Sequence, residues 1–288
     1  MIIYVDMPLQ IEKINNIEVK AIKVQKPVFP SNPDIFPFWF QVILLCAERQ
    51  FGKTTLVLNL LKLERPYIDY IYVISPNSKT DPQVLEGLKG FNYTIHDDLT
   101  EQLVKEIEDD LDYKIELYQK SIKLMKLIKS LNNRKRDLDD EEIELLDNID
   151  EEELDTMLKL YKKGRPPCSV LWIDDMAGSE LLHKDNGPLV KLIIKNRHRY
   201  LVPIICVQNL KSFAPSLRRN SSVVFIAPTI NIDYRKDLYS IVGGAFPNFR
   251  KFEEVMDAVG KEPHGFLSVY TKGITTDIRL NLDKKISI

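Results

Sequence analysis

Residues 40–63 read FQVILLCAERQFGKTTLVLNLLKL, and this stretch limits what the chain can fold into more than any other. A short, continuous apolar run ending at Cys46 is typical of a strand buried on both faces of a parallel sheet. From Thr54 onward the apolar positions Leu56, Leu58, Leu60 and Leu61 take helical spacing and can pack on that sheet. The eight residues between strand and helix, AERQFGKT, fit the pattern A/G-x-x-x-x-G-K-S/T. In a loop of this kind the backbone N–H groups and the helix N-terminus cradle phosphates. A lysine then neutralises the β/γ charge, and a Thr hydroxyl reaches Mg²⁺. Ala47, Glu48, Arg49, Gln50, Phe51, Gly52, Lys53, Thr54 and Thr55 are therefore the expected nucleotide-binding residues, with Lys53 on the phosphates and Thr54 on the metal. Ala47 stands where the usual pattern has glycine, and a small residue at the strand end meets the need there.

The remainder of the chain continues the strand–helix alternation. IDYIYVISP is β-branched and aromatic and stops at Pro76; SVLWID, VPIICVQ and SVVFIAP follow as three further strand candidates. PLVKLIIKNRHRY has helical periodicity between two of them, and FRKFEEVMDAVG reads as another helix with Gly260 as its stop. FLSVY and TDIRLNL suit a closing β-hairpin. The class predicted is α/β, a mainly parallel sheet flanked by helices, forming one domain over residues 1–288 with an insertion at about 100–162. In that insertion Ile107, Leu111, Ile115, Tyr118, Ile122, Met125, Ile128 and Leu131 form one apolar stripe on a long charged helix. NNRKRDLDDEE breaks it, and a second amphipathic helix through Leu146, Ile149, Leu154 and Met157 is expected to return antiparallel. A partner-binding coiled coil is the other use for such a stripe.

Composition sets the partners that remain possible. The 288 residues are 44% hydrophobic, enough for a sizeable core. Cys46, Cys168 and Cys206 lie in or beside apolar runs without C-x-x-C spacing, which predicts buried reduced thiols. No apolar stretch approaches the roughly 20 residues of a membrane span, and the N-terminus lacks the segments of a signal peptide. Net charge is −2, yet residues 101–160 hold 19 acidic against 10 basic side chains. The other residues therefore carry 30 basic and 23 acidic groups, a mild excess that permits a nucleic-acid partner.

The chemistry-bearing positions cluster at strand ends. SVLWIDDM supplies two carboxylates: Asp174 to hold the Mg²⁺ water shell and Asp175 to polarise the attacking water. Gln208, at the end of VPIICVQ, can orient water or sense the γ-phosphate. Arginines gather at RHR (197–199) and LRRN (217–220); Arg218 and Arg219 are candidates for stabilising phosphoryl-transfer charge from a neighbouring subunit, DNA-phosphate contact being the other reading. The histidines show no metal-ligand spacing. VQNLKS lacks the Asp of an N-K-x-D motif, which argues against a GTPase.

The ordered set A-x-R-x-x-GKTT, VISP, LWIDDM and RHRYLVPIICVQNLKSFAPSLRRNSSVVFI resembles the poxvirus-type genome-packaging ATPases of the FtsK-HerA superfamily, found in large DNA viruses and virophages. The similarity spans roughly residues 35–282 outside the acidic insertion. It implies a RecA-like P-loop ATPase core and a homo-oligomeric ring that uses ATP and Mg²⁺ to drive double-stranded viral DNA into a preformed capsid. Capsid or portal-vertex proteins would be its partners, with the host cytoplasm, at the viral factory, or the virion as its location. In that scheme Lys53 and Thr54 bind Mg²⁺–ATP, Asp174 and Asp175 form the metal and base pair, Gln208 is the sensor, and Arg218 or Arg219 acts in trans. RQFGKT is also similar to the loop of tailed-phage large terminases, which implies that Arg49 stabilises charge in cis. Two alternatives stay open: another FtsK-HerA translocase or helicase, and a nucleotide-binding scaffold without turnover that works through the insertion. AGSELLHKDN is a candidate DNA-gripping loop.

Overall fold

The computed structural model describes Ile35 and residues 40–132, 149–176, 178–210, 213–271 and 277–288. The Pro-punctuated opening, the charged break after Asn132 and the expected Leu146 contact lie outside the described residues. The chain begins with β1 (Ile43–Cys46), α1 (Lys53–Leu63), β2 (Tyr70–Ile74), α2 (Pro82–Gly87) and β3 (Tyr93–His96). Two helices of the insertion follow, α3 (Glu101–Asn132) and α4 (Glu151–Lys163). The core resumes with β4 (Ser169–Ile173), α5 (Glu180–His183), α6 (Pro188–Ile194), β5 (Leu201–Val207), α7 (Pro215–Asn220) and β6 (Val223–Ile226). It closes with α8 (Ile232–Val242), α9 (Phe249–Val259), β7 (Leu267–Tyr270), β8 (Asp277–Leu280) and β9 (Lys284–Lys285).

These strands form one nine-stranded sheet in the order β3-β2-β4-β5-β1-β6-β7-β8-β9. From β3 through β6 every pairing is parallel; β7, β8 and β9 add antiparallel at one edge. The α/β expectation holds, closing hairpin included. Side chains alternate between faces with the period of two that strand geometry imposes. Ile43, Leu45, Ile71, Val73, Val170, Trp172, Ile204, Cys206 and Phe225 bury against α1 and α2. Leu44, Cys46, Ile74, Leu171, Ile173, Ile205, Val207 and Ile226 bury against α3, α6, α8 and α9. The central strands are apolar on both faces because helices cover both. All three cysteines are buried free thiols, as expected.

The structure adjusts several expectations. The periodic segment 188–200 is helical only to Ile194, and residues 195–200 are turns that carry the chain back into β5. Among the elements the sequence did not lead one to expect are α2, the half-exposed edge strand β3, and α8, capped by the Asn231 side chain. On α3 the buried face starts as predicted, with Ile107 and Leu111, then shifts to Leu117, Ser121, Leu124 and Leu127. Ile115, Tyr118, Ile122, Met125 and Ile128 are only half-buried beside it. Leu117 and Leu124 enclose Met157 of α4. Lys120 pairs with Glu153, while Lys129 donates to the Tyr161 hydroxyl farther along both helices. The two helices therefore pack against each other, and the C-terminal end of α4 comes back to Asp69, next to the Tyr70 ring that Lys114 of α3 covers. Among the described residues no helix is long and apolar enough to cross a membrane.

The insertion is bolted to the sheet at two polar points. Lys114 of α3 lies over the Tyr70 ring at 3.8 Å and bonds both Asp110 and the Tyr72 hydroxyl. At the far end of α4, Asp69 accepts from Lys163 at 2.5 Å, Arg165 at 2.6 Å and the Cys168 amide at 2.7 Å. The Arg165 side chain is only 11% exposed, so its charge depends on Asp69. Removing one partner of such a pair strands the other. Asp69→Ala is expected to cost about 3 kcal/mol in chemical denaturation; a loss below about 1 kcal/mol would remove this pair as the anchor.

Candidate active site

β5 lies between β1 and β4, so the ends of these three strands present the phosphate loop, Gln208 and the Asp174–Asp175 pair side by side. This is the carboxyl edge of the parallel strands, where open α/β sheets bind ligands. The loop is tied to β5 by the Ala47 amide, which donates to the Val207 carbonyl at 3.1 Å. Positive φ within it falls at Gln50 (61°) and Gly52 (102°), while Ala47 keeps an ordinary backbone, so glycine is not required at position 47. The glycine freedom that matters is at Gly52, which enters α1 in the left-handed region. No side chain caps the first turn of α1, so its N–H groups remain available to an anion. Lys53 folds back over the loop, donating to the Ala47 and Glu48 carbonyls at 2.9 and 3.0 Å.

Opposite the lysine stand the carboxylates. Asp174 is 8% exposed, and burial pushes its carboxyl up to about 6, against the opposing pull of Lys53. Asp175 adds a further upward push, and the Thr54 hydroxyl hydrogen-bonds Asp174 and pulls it down. Asp175 sits at φ 53°, a left-handed conformation that non-glycine residues adopt at a cost and that is often found at functional sites. Its Oδ1 accepts from Gln208 Nε2 at 2.9 Å, and its Oδ2 lies 3.7 Å from the exposed Arg49 guanidinium. Arg49, Gln50, Lys53, Thr54, Asp174, Asp175 and Gln208 all line one cleft of about 160 Å³.

The donor set suits Mg²⁺. It offers hard oxygens only, the Thr54 hydroxyl and the Asp174 carboxylate, already in mutual contact. Mg²⁺ is commonly held by one or two protein oxygens plus water and substrate phosphates.

Other predicted residues stand apart. Glu48 and Thr55 are exposed, and Phe51 turns edge-on to Phe266 and His264. Arg218 and Arg219 lie on α7, outside this cleft; Arg219 is exposed, and Arg218 Nε is buried without a hydrogen-bond partner. The candidate gripping loop is partly folded as α5, with Ala177 outside the described residues. Sequence reasoning missed Ser75, Asn77, Ser78 and Asp81, which follow β2 and complete the cleft wall. Their signal was the polar SPNS run at a strand end. It also missed a second cavity of about 770 Å³ on the other side of the loop, where Thr54, Thr55 and Asn59 face His264, Phe266, Asn281 and Leu282. Those residues come from the closing hairpin and the turn before it, far away in sequence.

No family model matches the chain. It is similar to the uncharacterised protein 088R of Invertebrate iridescent virus 3, at 29% identity over 137 residues. The match covers 46% of this chain and spans about half of that relative, 51% of its length. Among solved structures, it is similar to the genome packaging NTPase B204 from Sulfolobus turreted icosahedral virus 2 in complex with AMPPCP (TM-score 0.45, 17% identity, 86% of this chain and 97% of that one). It is also similar to EssC (ATPases 2 and 3) from Geobacillus thermodenitrificans (TM-score 0.46, 15% identity, 86% of this chain and 41% of that one).

The burial of Asp174 has a measurable cost. Its native pKa lies above the ordinary carboxylate value near 4, so the native state binds the extra proton and stability falls as pH rises from about 4 to about 6, then levels. Asp174→Asn is isosteric with the protonated acid. In nucleotide-free protein it is expected to stabilise by on the order of 2 kcal/mol at pH 8 and by almost nothing at pH 4. Denaturant titrations at both pH values measure this, and an equal effect at each would rule out the buried charge as its cause.

Proposed function

We propose that this chain is an ATP-hydrolysing motor that translocates double-stranded viral DNA into a preformed capsid, working as a homo-oligomeric ring. The observation that carries the hydrolytic part is the convergence of Asp175, Gln208 and Arg49 on one wall of a cleft whose other wall is Lys53 and Thr54. That is the arrangement phosphoryl transfer needs: a cation on the phosphates, a carboxylate and an amide to orient water, and an arginine for developing charge. The basic excess outside the insertion supports a polyanion partner, and the iridescent-virus relative supports a viral setting. DNA, capsid or portal proteins as partners, and a host-cytoplasmic or virion location, belong to this reading.

In that mechanism Lys53 leaves the loop carbonyls for the β/γ-phosphates as the triphosphate enters. Thr54 and Asp174 would hold Mg²⁺, which would supply charge neutralisation at the phosphates. Asp175 accepts a proton from the attacking water while Gln208 fixes that water's direction. Arg49 exchanges Asp175 for the γ-phosphate. The exposed Arg219 completes a neighbouring subunit's cleft.

Purified protein is expected to hydrolyse ATP with stimulation by duplex DNA and to displace a triplex-forming strand as it moves. Lys53→Ala should abolish both; no hydrolysis by the wild type would sink the proposal, and tight ATP binding without turnover would favour the scaffold reading. Arg49→Ala should keep nucleotide affinity and lose turnover roughly tenfold or more, as measured by fluorescent-nucleotide titration alongside steady-state hydrolysis. Arg219→Ala should be inactive alone but regain activity when mixed with Lys53→Ala subunits, whose Arg219 is intact. Failure to complement would assign Arg219 to the surface or to DNA.

A further inference from the structure

Gln208 is the first residue beyond the β5 ladder, so its carbonyl needs a donor from elsewhere. Tyr234 supplies it. This residue stands on the first turn of α8, and its hydroxyl donates to the Gln208 carbonyl at 2.5 Å. The same hydroxyl meets the Cys46 sulfur at 2.6 Å, and Cys46 is the last residue of β1, directly before the phosphate loop. Cys46 Sγ in turn lies 3.7 Å from the Gln208 carbonyl. One phenol thus joins the root of the phosphate loop, the end of β5 and a helix that lines neither cavity.

The support behind Tyr234 is stiff. The Asn231 side chain caps α8, accepting from the amides of Asp233 and Tyr234 at 3.0 Å each. Its neighbour Arg235 donates to the Thr229 carbonyl and to Asp257 of α9, both at 2.6 Å. The Tyr234 ring packs against the core on the α8 side of the sheet. Burial raises its hydroxyl above the ordinary range, as it raises the Cys46 thiol to about 11, so both keep their protons at neutral pH.

The geometry points to Tyr234 as a positioning residue: its hydroxyl fixes the Gln208 peptide, and with it the Gln208 amide against Asp175, in register with the phosphate loop. The assignment rests on reading the cleft as a hydrolytic site. Side-chain rotation alone cannot aim an amide whose backbone drifts, and Gln208 Nε2 must meet Asp175 at 2.9 Å. α8 thereby gains a lever on the hydrolytic step without touching nucleotide.

Tyr234→Phe keeps the ring and deletes the hydroxyl. It is expected to lower kcat for ATP roughly three- to tenfold with KM unchanged, and to change nothing further in a Gln208→Ala background. Wild-type kcat in Tyr234→Phe, or the same loss with Gln208 already removed, would overturn the assignment. So would a loss accounted for by a reduced folded fraction in thermal melts. Amide exchange in nucleotide-free protein tests the junction without turnover: peptides spanning 203–210 and 44–53 should exchange faster in Tyr234→Phe, and unchanged exchange would overturn it. A wild-type protein that hydrolyses no ATP would sink the ATPase reading alone, with the exchange result still deciding whether the junction exists.

Discussion

The parallel backbone ladder that seats β5 between β1 and β4 is the constraint on which the candidate site depends. Cys46 pairs with Val207, and Ile205 pairs with Ile173, so the loop, Gln208 and Asp174 leave the sheet within two residues of the same level. A slip of one residue in either pairing would turn the buried side chains of a strand to the opposite face. The helices on both faces forbid that, because each strand contributes to two separate apolar layers. Core packing and site geometry are therefore one requirement. The residues that hold the strands in register do so by filling volume, and the polar residues past the strand ends inherit their positions.

Charge in the cleft is balanced without a ligand, at some cost. Lys53 satisfies its ammonium on loop carbonyls, and Asp175 shares Gln208 and Arg49. Asp174 has no cation at contact distance among these bonds, and burial raises its proton affinity against the pull of Lys53. A divalent cation with phosphates would supply what the empty-handed carboxylate lacks. Ligand entry thus exchanges internal partners for external ones at Lys53, Arg49 and Asp174 together, which couples the three side chains electrostatically.

Much of this was legible before any coordinates. VILLCA, SVLWID, VPIICVQ and SVVFIAP are apolar on both faces, a signal typical of helix-covered parallel strands, and the polar residues at their ends read as a site. What escaped were features without periodic signal. The strand YTIH is half-exposed at an edge, and its pairing with β2 is a tertiary fact. Tyr234 is one aromatic residue among twelve tyrosines, and nothing local says that its hydroxyl reaches a strand end 26 residues earlier. On α3 the apolar positions were seen, but the face they present depends on two partners, the sheet for Ile107 and Leu111 and then α4 for Leu117 and Leu124.

Ala47 carries a consequence of a different kind. Its backbone is in an ordinary region, where alanine is as comfortable as glycine in the folded chain. In a flexible chain, however, alanine samples fewer conformations than glycine, a difference of roughly 0.4–1 kcal/mol in ordering entropy. A loop that begins on alanine has less disorder to surrender when the chain folds. Ala47 is buried and tied to β5 before any ligand arrives, so the difference falls on folding stability, with no new contact made.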